Sequence, residues 1–496
     1  MSFDALLAQV NGPPTPTQAF NFLLANCSKK VNLHAYGGAN EGYNSDLAPI
    51  QCENIGDLIS ALSTRIKLNQ AIEDTLTILF AVAISLEVSG PFIWMHIAGP
   101  SSSLKTTILE LIGAAHERVF SVTNFSSFYS GSTVGGRDNS LLPQIQGKLF
   151  IIKDLTPLLE ASQDIQKQVF PQLRDIYDGN GSKFFNNGVN LDYKNVRFVC
   201  VTGVTYIIHK FSRTDMGERF LICDINSSWS PDGELIRMDT ELLAEGNAFD
   251  SVFDTMSQGF ESSDSPKLDN LEELRCMAWG LLNHLFEYMQ DEGHGLKALG
   301  AAFKADRSFK LEIDSLAVWM EHARCKMPSK ADRETIRPVP ALPHRAIKQL
   351  SKVALTLAIV TKSAGPTSEI RRLVRKFAFD SAFSYGLEIM NLVATIPEIS
   401  KAVLASRLSL SPTHISNICD HLTAIGVIER RIKPTGTVGQ PNLCWILTPK
   451  FRAIADAIGL KEHQLHKTNA ANPIESPSEA LDRIFPSTRK SVFGRN

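Results

Sequence analysis

The chain has 496 residues, 44% hydrophobic and 21% charged, with a formal net charge of −2 and a mean hydropathy of −0.04. This composition excludes collagen-like, disulfide-scaffold and strongly basic proteins, so any nucleic-acid surface has to be local, and the length suggests roughly three domains. The eight cysteines are scattered without metal-ligand spacing, as expected of free thiols in a reducing, cytoplasmic compartment, and neither a signal peptide nor a membrane-spanning stretch is evident.

Residues 1–64 are mixed, with a Gly- and Asn-rich middle from Ala35 to Asn44 that reads as a long loop. From Ile72 to Ile84 apolar residues recur at helical spacing. An apolar, strand-like run then leads into Gly99, Pro100, Ser101, Ser102, Ser103, Leu104, Lys105, Thr106 and Thr107, and a helical pattern begins at Ile108. Strand, Gly-initiated loop, Lys-Thr and helix are the parts of a phosphate-binding loop. In such a loop backbone N–H groups can cradle a triphosphate, Lys105 can reach its β- and γ-phosphates, and Thr106 can hold Mg²⁺. The full pattern has Gly where this chain has Leu104, and a Cβ there restricts the tight turn. Taken alone, the segment also fits a Ser-rich turn before an ordinary helix.

Leu149 to Ile152 form a second apolar run ending in Lys153-Asp154, the pattern of a buried parallel strand that delivers a carboxylate beside the γ-phosphate and its metal. One acid stands where two are common, so Asp138 or Asp178 is a candidate helper, while a cap or turn is the plainer role for Asp154. Between Gly179 and Gly188, turn residues bracket a short aromatic segment that predicts a hairpin with Lys183 near its tip. A third run spans Val196 to Thr202, with Thr202 or Thr205 placed to sense the γ-phosphate. Met216-Gly217-Glu218-Arg219 precedes a fourth.

Residues 230–340 read as mainly helical, and Arg345 begins an amphipathic helix near Pro343. Farther on, Glu398–Leu408 and Pro412–Leu422 read as two helices joined by a turn, followed by a basic hairpin with Arg430, Arg431 and Lys433. This resembles a winged helix-turn-helix in which Thr413, His414, Asn417 and His421 are free to face a DNA groove. The last segment is rich in Pro, Ser and charge and reads as a disordered tail; its Arg489–Arg495 end fits a docking peptide for a partner or a solvated terminus.

From Arg65 to Val393 the ordered set resembles an AAA+ ATPase of the branch with MCM helicases, viral superfamily III helicases and the enhancer-binding transcription activators. MCM-type loops likewise lack the last glycine. The resemblance implies an α/β fold in which an AAA+ P-loop parallel sheet is flanked by helices, with a helical lid and the C-terminal winged helix. The implied division is 1–64, a core of 65–228, a helical insertion and lid of 229–395, a winged helix of 396–460 and a tail of 461–496. It further implies ATP and Mg²⁺ as cofactors, Thr106 and Asp154 as metal-holding residues, and Arg219 or Arg213 completing a neighbouring subunit's site. Arg345 would contact ATP as a second sensor, and the Lys183 hairpin would pull on DNA in the pore of a homo-oligomeric, hexameric ring. The expected role is a replicative helicase or initiator of the phage or mobile-element type. The alternatives are an ATP-responsive transcription regulator and a nucleotide-binding scaffold that hydrolyses poorly.

Overall fold

A computed structural model describes residues 48–66, 68–101, 103–123, 125, 127–134, 137–211, 219–229, 235–237, 269–291, 293–328, 338–433 and 442–460. The N-terminal 47 residues, the tail from 461, Ser102 and Arg213 lie outside them.

Helices α1 (Ile55–Ser63) and α2 (Gln70–Ile84) precede the sheet, α2 starting where the Asn69 side chain accepts the Ile72 N–H. Almost every α2 residue is buried, because the helix is covered on all sides. The sheet takes in β1 (Trp94–Ala98), β2 (Val119–Val122), β3 (Leu149–Ile152), β6 (Val199–Val204) and β7 (Phe220–Asp224), with helix α3 (Lys105–Gly113) crossing from β1 to β2. Helix α4 (Gln163–Tyr177) and a hairpin of β4 (Asn180–Phe184) and β5 (Asn190–Lys194) lie between β3 and β6.

The five strands run in the order β2-β3-β6-β1-β7, all parallel. Strands buried on both faces explain the uninterrupted apolar runs. The pleat sorts them into two cores. Met95, Ile97, Ile151, Val201 and Leu221 join the face that carries α2 and α3, while Trp94, Phe150, Phe198, Phe220 and Ile222 join the face that carries α4.

Sequence reading ends the third run at Thr202, yet β6 continues through Gly203 to Val204. Gly203 is accommodated there because a Cβ would lie 2.4 Å from the Lys153 carbonyl oxygen of the neighbouring strand's end. The close approach of two chains, rather than strand propensity, selects the residue.

A helical layer follows: α5 (Asp269–Asp291), α6 (Gly293–Ala305), α7 (Arg307–Arg324), α8 (His344–Val360), α9 (Ser368–Ser381) and α10 (Tyr385–Thr395). Helix α8 packs on α2, and α9 packs on β7. The α9 contact contains a buried ion pair: Lys376 Nζ lies 2.6 Å from Asp380 Oδ2, both side chains essentially inaccessible. The Lys376 ammonium also donates to the Asp224 and Ser227 carbonyls at 2.7 and 2.6 Å, and Asp380 accepts the Asp224 N–H at 2.9 Å. Helix α9 is thereby fixed to the end of β7.

The chain closes with β8 (Ile399–Ser400), α11 (Lys401–Leu408), α12 (Pro412–Ala424), β9 (Ile428–Lys433), β10 (Asn442–Leu447) and α13 (Pro449–Ala457). The three strands form one antiparallel sheet in the order β8-β10-β9. Ser400 and Ser411 cap α11 and α12 by accepting the Val403 and His414 N–H groups, and Ser409, at φ 51°, terminates α11. Among the described residues no helix is long and apolar enough to cross a membrane.

Candidate functional site

In an open parallel sheet, ligands bind beyond the carboxyl ends of the strands, and the loop from Gly99 leaves β1 at that edge. The Gly99 N–H donates to the Val204 carbonyl at 3.3 Å. A Cβ on Gly99 would meet Ile225 Cγ2 at 2.5 Å and Ser103 Oγ at 2.8 Å, so any side chain there would displace both neighbours. Ser101 is exposed, and the Ser103 hydroxyl donates to the Pro100 carbonyl at 2.8 Å.

Leu104 adopts φ 61°, ψ 3°, the left-handed conformation that glycine occupies without steric penalty. The departure from the glycine pattern is therefore a change of residue and not of backbone path. Its half-buried side chain packs against the main core. No side chain caps α3 and its first turn carries no acid, so its leading N–H groups and the positive end of its dipole face the loop. Thr106 is exposed on that turn and Thr107 half-buried.

Lys105 folds back into the loop, its ammonium donating to the Gly99 carbonyl at 3.0 Å, to Ser103 Oγ at 3.1 Å and to the Pro100 carbonyl. Burial lowers its pKa, and the carboxylates of Asp154 and Asp224 act in the opposite direction. These residues fit a triphosphate with its metal: uncapped helix donors, a cation already inside the loop, a hydroxyl at Thr106 and two carboxylates nearby.

Asp154 is exposed just past β3. One of its oxygens accepts the Thr156 N–H at 2.9 Å, closing an Asx turn, so it carries out the plain turn role expected of a strand-end acid. Lys153 donates to Glu110 of α3 at 2.9 Å, and Arg275 of α5 reaches the other Glu110 oxygen at 2.9 Å.

Neither suggested helper acid is at the loop. Asp138 accepts the Ser140 N–H at 2.9 Å and is held by the Tyr193 hydroxyl of β5. Burial would raise its pKa, but those hydrogen bonds keep it below the usual carboxylate range. Asp178 lies at the opposite edge. The acid that sequence reasoning missed is Asp224, in the β7 position beside Ala98. It accepts the Tyr206 hydroxyl at 3.1 Å and the Asn226 N–H at 2.9 Å. An apolar run ending in an acid, the signal that singled out Asp154, was present there too.

Thr202 is not at the phosphate edge. It is buried opposite His96 in the register of β1 and β6, sharing a 2.6 Å hydrogen bond with His96 Nδ1. Burial, with the His209 charge, lowers the His96 pKa to about 3, so the imidazole is neutral; it stacks on Phe220 with centroids 4.1 Å apart. Thr205 lies past the strand end, and its N–H donates to Thr156 Oγ1 at 3.3 Å.

Arg219 and Arg345 come together, but not near Lys105. Arg219 directly precedes Phe220, which is in register with Trp94, the first residue of β1. The five residues of β1 therefore separate this arginine from the loop by about 16 Å. Arg219 Nη2 is 2.5 Å and Arg345 Nη2 3.9 Å from the Asp178 carboxylate, with both guanidinium groups over the Tyr177 ring at 5.8 and 5.7 Å. Gln349 donates to Tyr177 Oη at 3.0 Å and to the Arg219 carbonyl at 3.2 Å. Arg345, the expected second sensor for ATP, thus shares an anion with Arg219 at the sheet edge away from Lys105.

The hairpin also differs from expectation. Residues of β4 alternate exposed and covered, and Lys183 falls on the covered side, its ammonium 5.9 Å from the Tyr129 ring centroid and 5.3 Å from that of Phe185. Phe184 points outward. In α12, Thr413 and His414 are exposed and Asn417 is half-buried. His421 is buried and shares a 3.0 Å hydrogen bond with the Cys325 carbonyl, so it faces the body of the protein and not a groove. On β9, Arg430 pairs with Asp420, and Arg431 with Glu398 at 3.1 Å. Lys433 ends the strand.

No family model matches the chain, and no curated protein does. Among solved structures it is similar to the apo A form of the NrS-1 C-terminal region (305–718), with 11% identity, 81% of this chain and 77% of that one covered, and a TM-score of 0.26. A likeness at that level carries no argument about either fold or function.

Proposed function

We propose that this chain is an AAA+ ATPase that works on DNA as a ring, in the role of a replicative helicase or initiator. The observation that carries the reading is the meeting, at one sheet edge, of a left-handed loop, an uncapped helix N-terminus, Lys105 and the carboxylates Asp154 and Asp224. Bound ATP–Mg²⁺ would supply the scissile phosphoanhydride and a metal that polarises it. The loop N–H groups and Lys105 would hold phosphate, while Thr106 and Asp154 would hold the metal.

Three further features support the reading. One strand, β6, separates the loop strand from the acid-bearing β3, an order that AAA+ cores share. Arg219 and Arg345 sit too far from their own loop to serve it, yet close enough to each other to grip one anion; a neighbouring subunit's nucleotide would provide that anion. We read the terminal α11–α12–β9–β10 unit as a winged helix, with its basic strand as the candidate duplex contact.

A nucleotide-binding scaffold with slow hydrolysis is the second reading, favoured by a leucine in a left-handed backbone and by Asp154 holding a turn. Turnover of ATP by the full chain with and without DNA, alongside Lys105→Ala, separates the two. DNA-stimulated turnover that disappears in the variant, light scattering of a ring, and strand displacement on a forked duplex are the expected results. Equal turnover by variant and parent would refute the loop assignment.

A further inference from the structure

We infer that the cleft between the end of β6 and the terminal helices α11 and α12 is a binding site for a small planar heteroaromatic anion of mononucleotide size, separate from the phosphate loop. The cleft has a volume of about 770 Å³, within the roughly 300–1,000 Å³ of small-molecule sites, which favour such junctions between structural units. Tyr206 and His209 line it from beyond β6, Phe383 from the link between α9 and α10, and Tyr385 from the first residue of α10. Arg407 of α11 and His414 of α12 complete the part that matters for recognition.

Aromatic rings dominate these walls. Tyr206 lies 20° from parallel with His209, centroids 5.9 Å apart, and His209 meets Phe383 at 4.7 Å. On the other side His414 stands edge-on to Tyr385, at 6.0 Å and 85°. The rings do not fill the space they share: Tyr206 stays 40% and Tyr385 48% exposed, while Ile418 and Leu422 of the same lining are buried. Aromatic surface left open toward one cavity by two parts of the fold suits a flat ring better than an aliphatic chain, because stacking adds to the gain from area burial. Tyr206 also donates to Asp224 at 3.1 Å, so an occupant would touch a side chain shared with the phosphate edge.

The charge preference comes from Arg407. It is exposed in the last turn of α11 and forms no ion pair among the described residues, whereas Glu388, an acid on the same lining, is already engaged within the chain. A guanidinium without a carboxylate partner, beside open rings, matches a ligand that joins a planar ring to a phosphate, which it can grip through two parallel N–H···O bonds. The walls are fixed before any ligand arrives. Ser384 donates to the Ala323 carbonyl at 3.1 Å and caps α10 by accepting the Leu387 N–H, and Arg324 donates to the Ser381 carbonyl at 2.8 Å. A cleft already in shape loses little freedom on binding.

The test is binding of riboflavin 5′-phosphate, a fluorescent planar ring carrying one phosphate, to the full chain by fluorescence anisotropy, with uncharged riboflavin as a second probe and AMP as competitor. Arg407→Ala should weaken binding of the phosphate probe by about tenfold or more and leave that of riboflavin unchanged. Tyr385→Leu should weaken both by about threefold or more, while Tyr385→Trp retains them. Lys105→Ala should bind the phosphate probe as the parent does, and AMP should displace it. The Arg407 and Tyr385 variants should melt with the parent, since both side chains are exposed. A parent that does not bind riboflavin 5′-phosphate at millimolar concentration, or from which AMP does not displace it, would overturn the inference. Arg407→Ala as tight as the parent would remove the anion, and Leu as good as Tyr, or Trp as poor as Leu, would remove the stacked ring; each overturns the assignment. Binding lost in Lys105→Ala would place the probe in the phosphate loop and overturn it as well.

Discussion

Leu104 offers a test in which the sign of an effect decides. In an ordinary helical or extended position, replacing alanine by glycine destabilises by roughly 0.5–1 kcal/mol through added chain freedom. At φ 61° an L-residue carries a steric penalty of roughly 1–2 kcal/mol that glycine lacks. Leu104→Ala and Leu104→Gly both lose the half-buried leucyl contact with the core, so that term cancels in the comparison. The remainder favours glycine by roughly 0.5–1 kcal/mol, a twofold to fivefold change in the local equilibrium. Amide hydrogen exchange across Lys105–Gly113 reads this locally, without assuming that a chain of this length unfolds in one step. The glycine variant should exchange more slowly than the alanine variant in the first turns of α3. Faster exchange in the glycine variant would place Leu104 in an ordinary backbone region and remove the account of why the loop tolerates a side chain there.

Asp154→Asn should keep ATP binding and lose hydrolysis, since an amide oxygen can still accept the Thr156 N–H but serves poorly as base or metal ligand; turnover retained in that variant and lost in Asp224→Asn would move the chemistry to β7. Mixing Arg219→Ala protein with Lys105→Ala protein should restore ATPase activity above the sum of the parts, and no gain in any ratio would argue against a site shared between subunits. Replacing Arg430, Arg431 and Lys433 together by Ala should flatten the salt dependence of duplex binding by up to about three units of log–log slope; an unchanged slope would assign this strand to solvent or protein. Lys376→Met leaves the Asp380 carboxylate buried without its ammonium and should destabilise by about 3–5 kcal/mol, with Lys376→Met/Asp380→Leu recovering much of it. Melts of the single variant coincident with the parent would refute the clamp.

Much of the sheet was legible because strands buried on both faces leave uninterrupted apolar runs, and Gly179 and Gly188, at φ 88° and 86°, bracket the hairpin as turn chemistry predicts. What the runs could not supply was phase and depth. Thr202 looked terminal only because Gly203 looked like a break, and its necessity comes from the Lys153 carbonyl of another strand. Lys183 and Phe184 could each have faced outward, and the choice is made by Tyr129, more than fifty residues earlier in the chain. Similarly, Arg219 and Arg345 were found separately, but their meeting at Asp178 depends on where α8 packs. His421 fitted the groove-facing pattern of α12 and is instead taken by a carbonyl at the end of α7. Local pattern specifies elements well; side-chain partners that lie far apart in sequence are set by packing.

The Lys376 clamp also has a mechanical meaning. Drawing α9 away from the end of β7 would uncover two opposite charges and several backbone acceptors at once, so helix and edge strand form one stiff lever and not two hinged parts. A displacement of the β7 end, where Asp224 lies close enough for its charge to act on Lys105, would carry α9 with it. Bending is left to the connections outside it, the Thr361–Thr367 turn before α9 and the three residues between α9 and α10. In a ring ATPase of the proposed kind, the second of these would set the angle at which the terminal helices follow the phosphate loop.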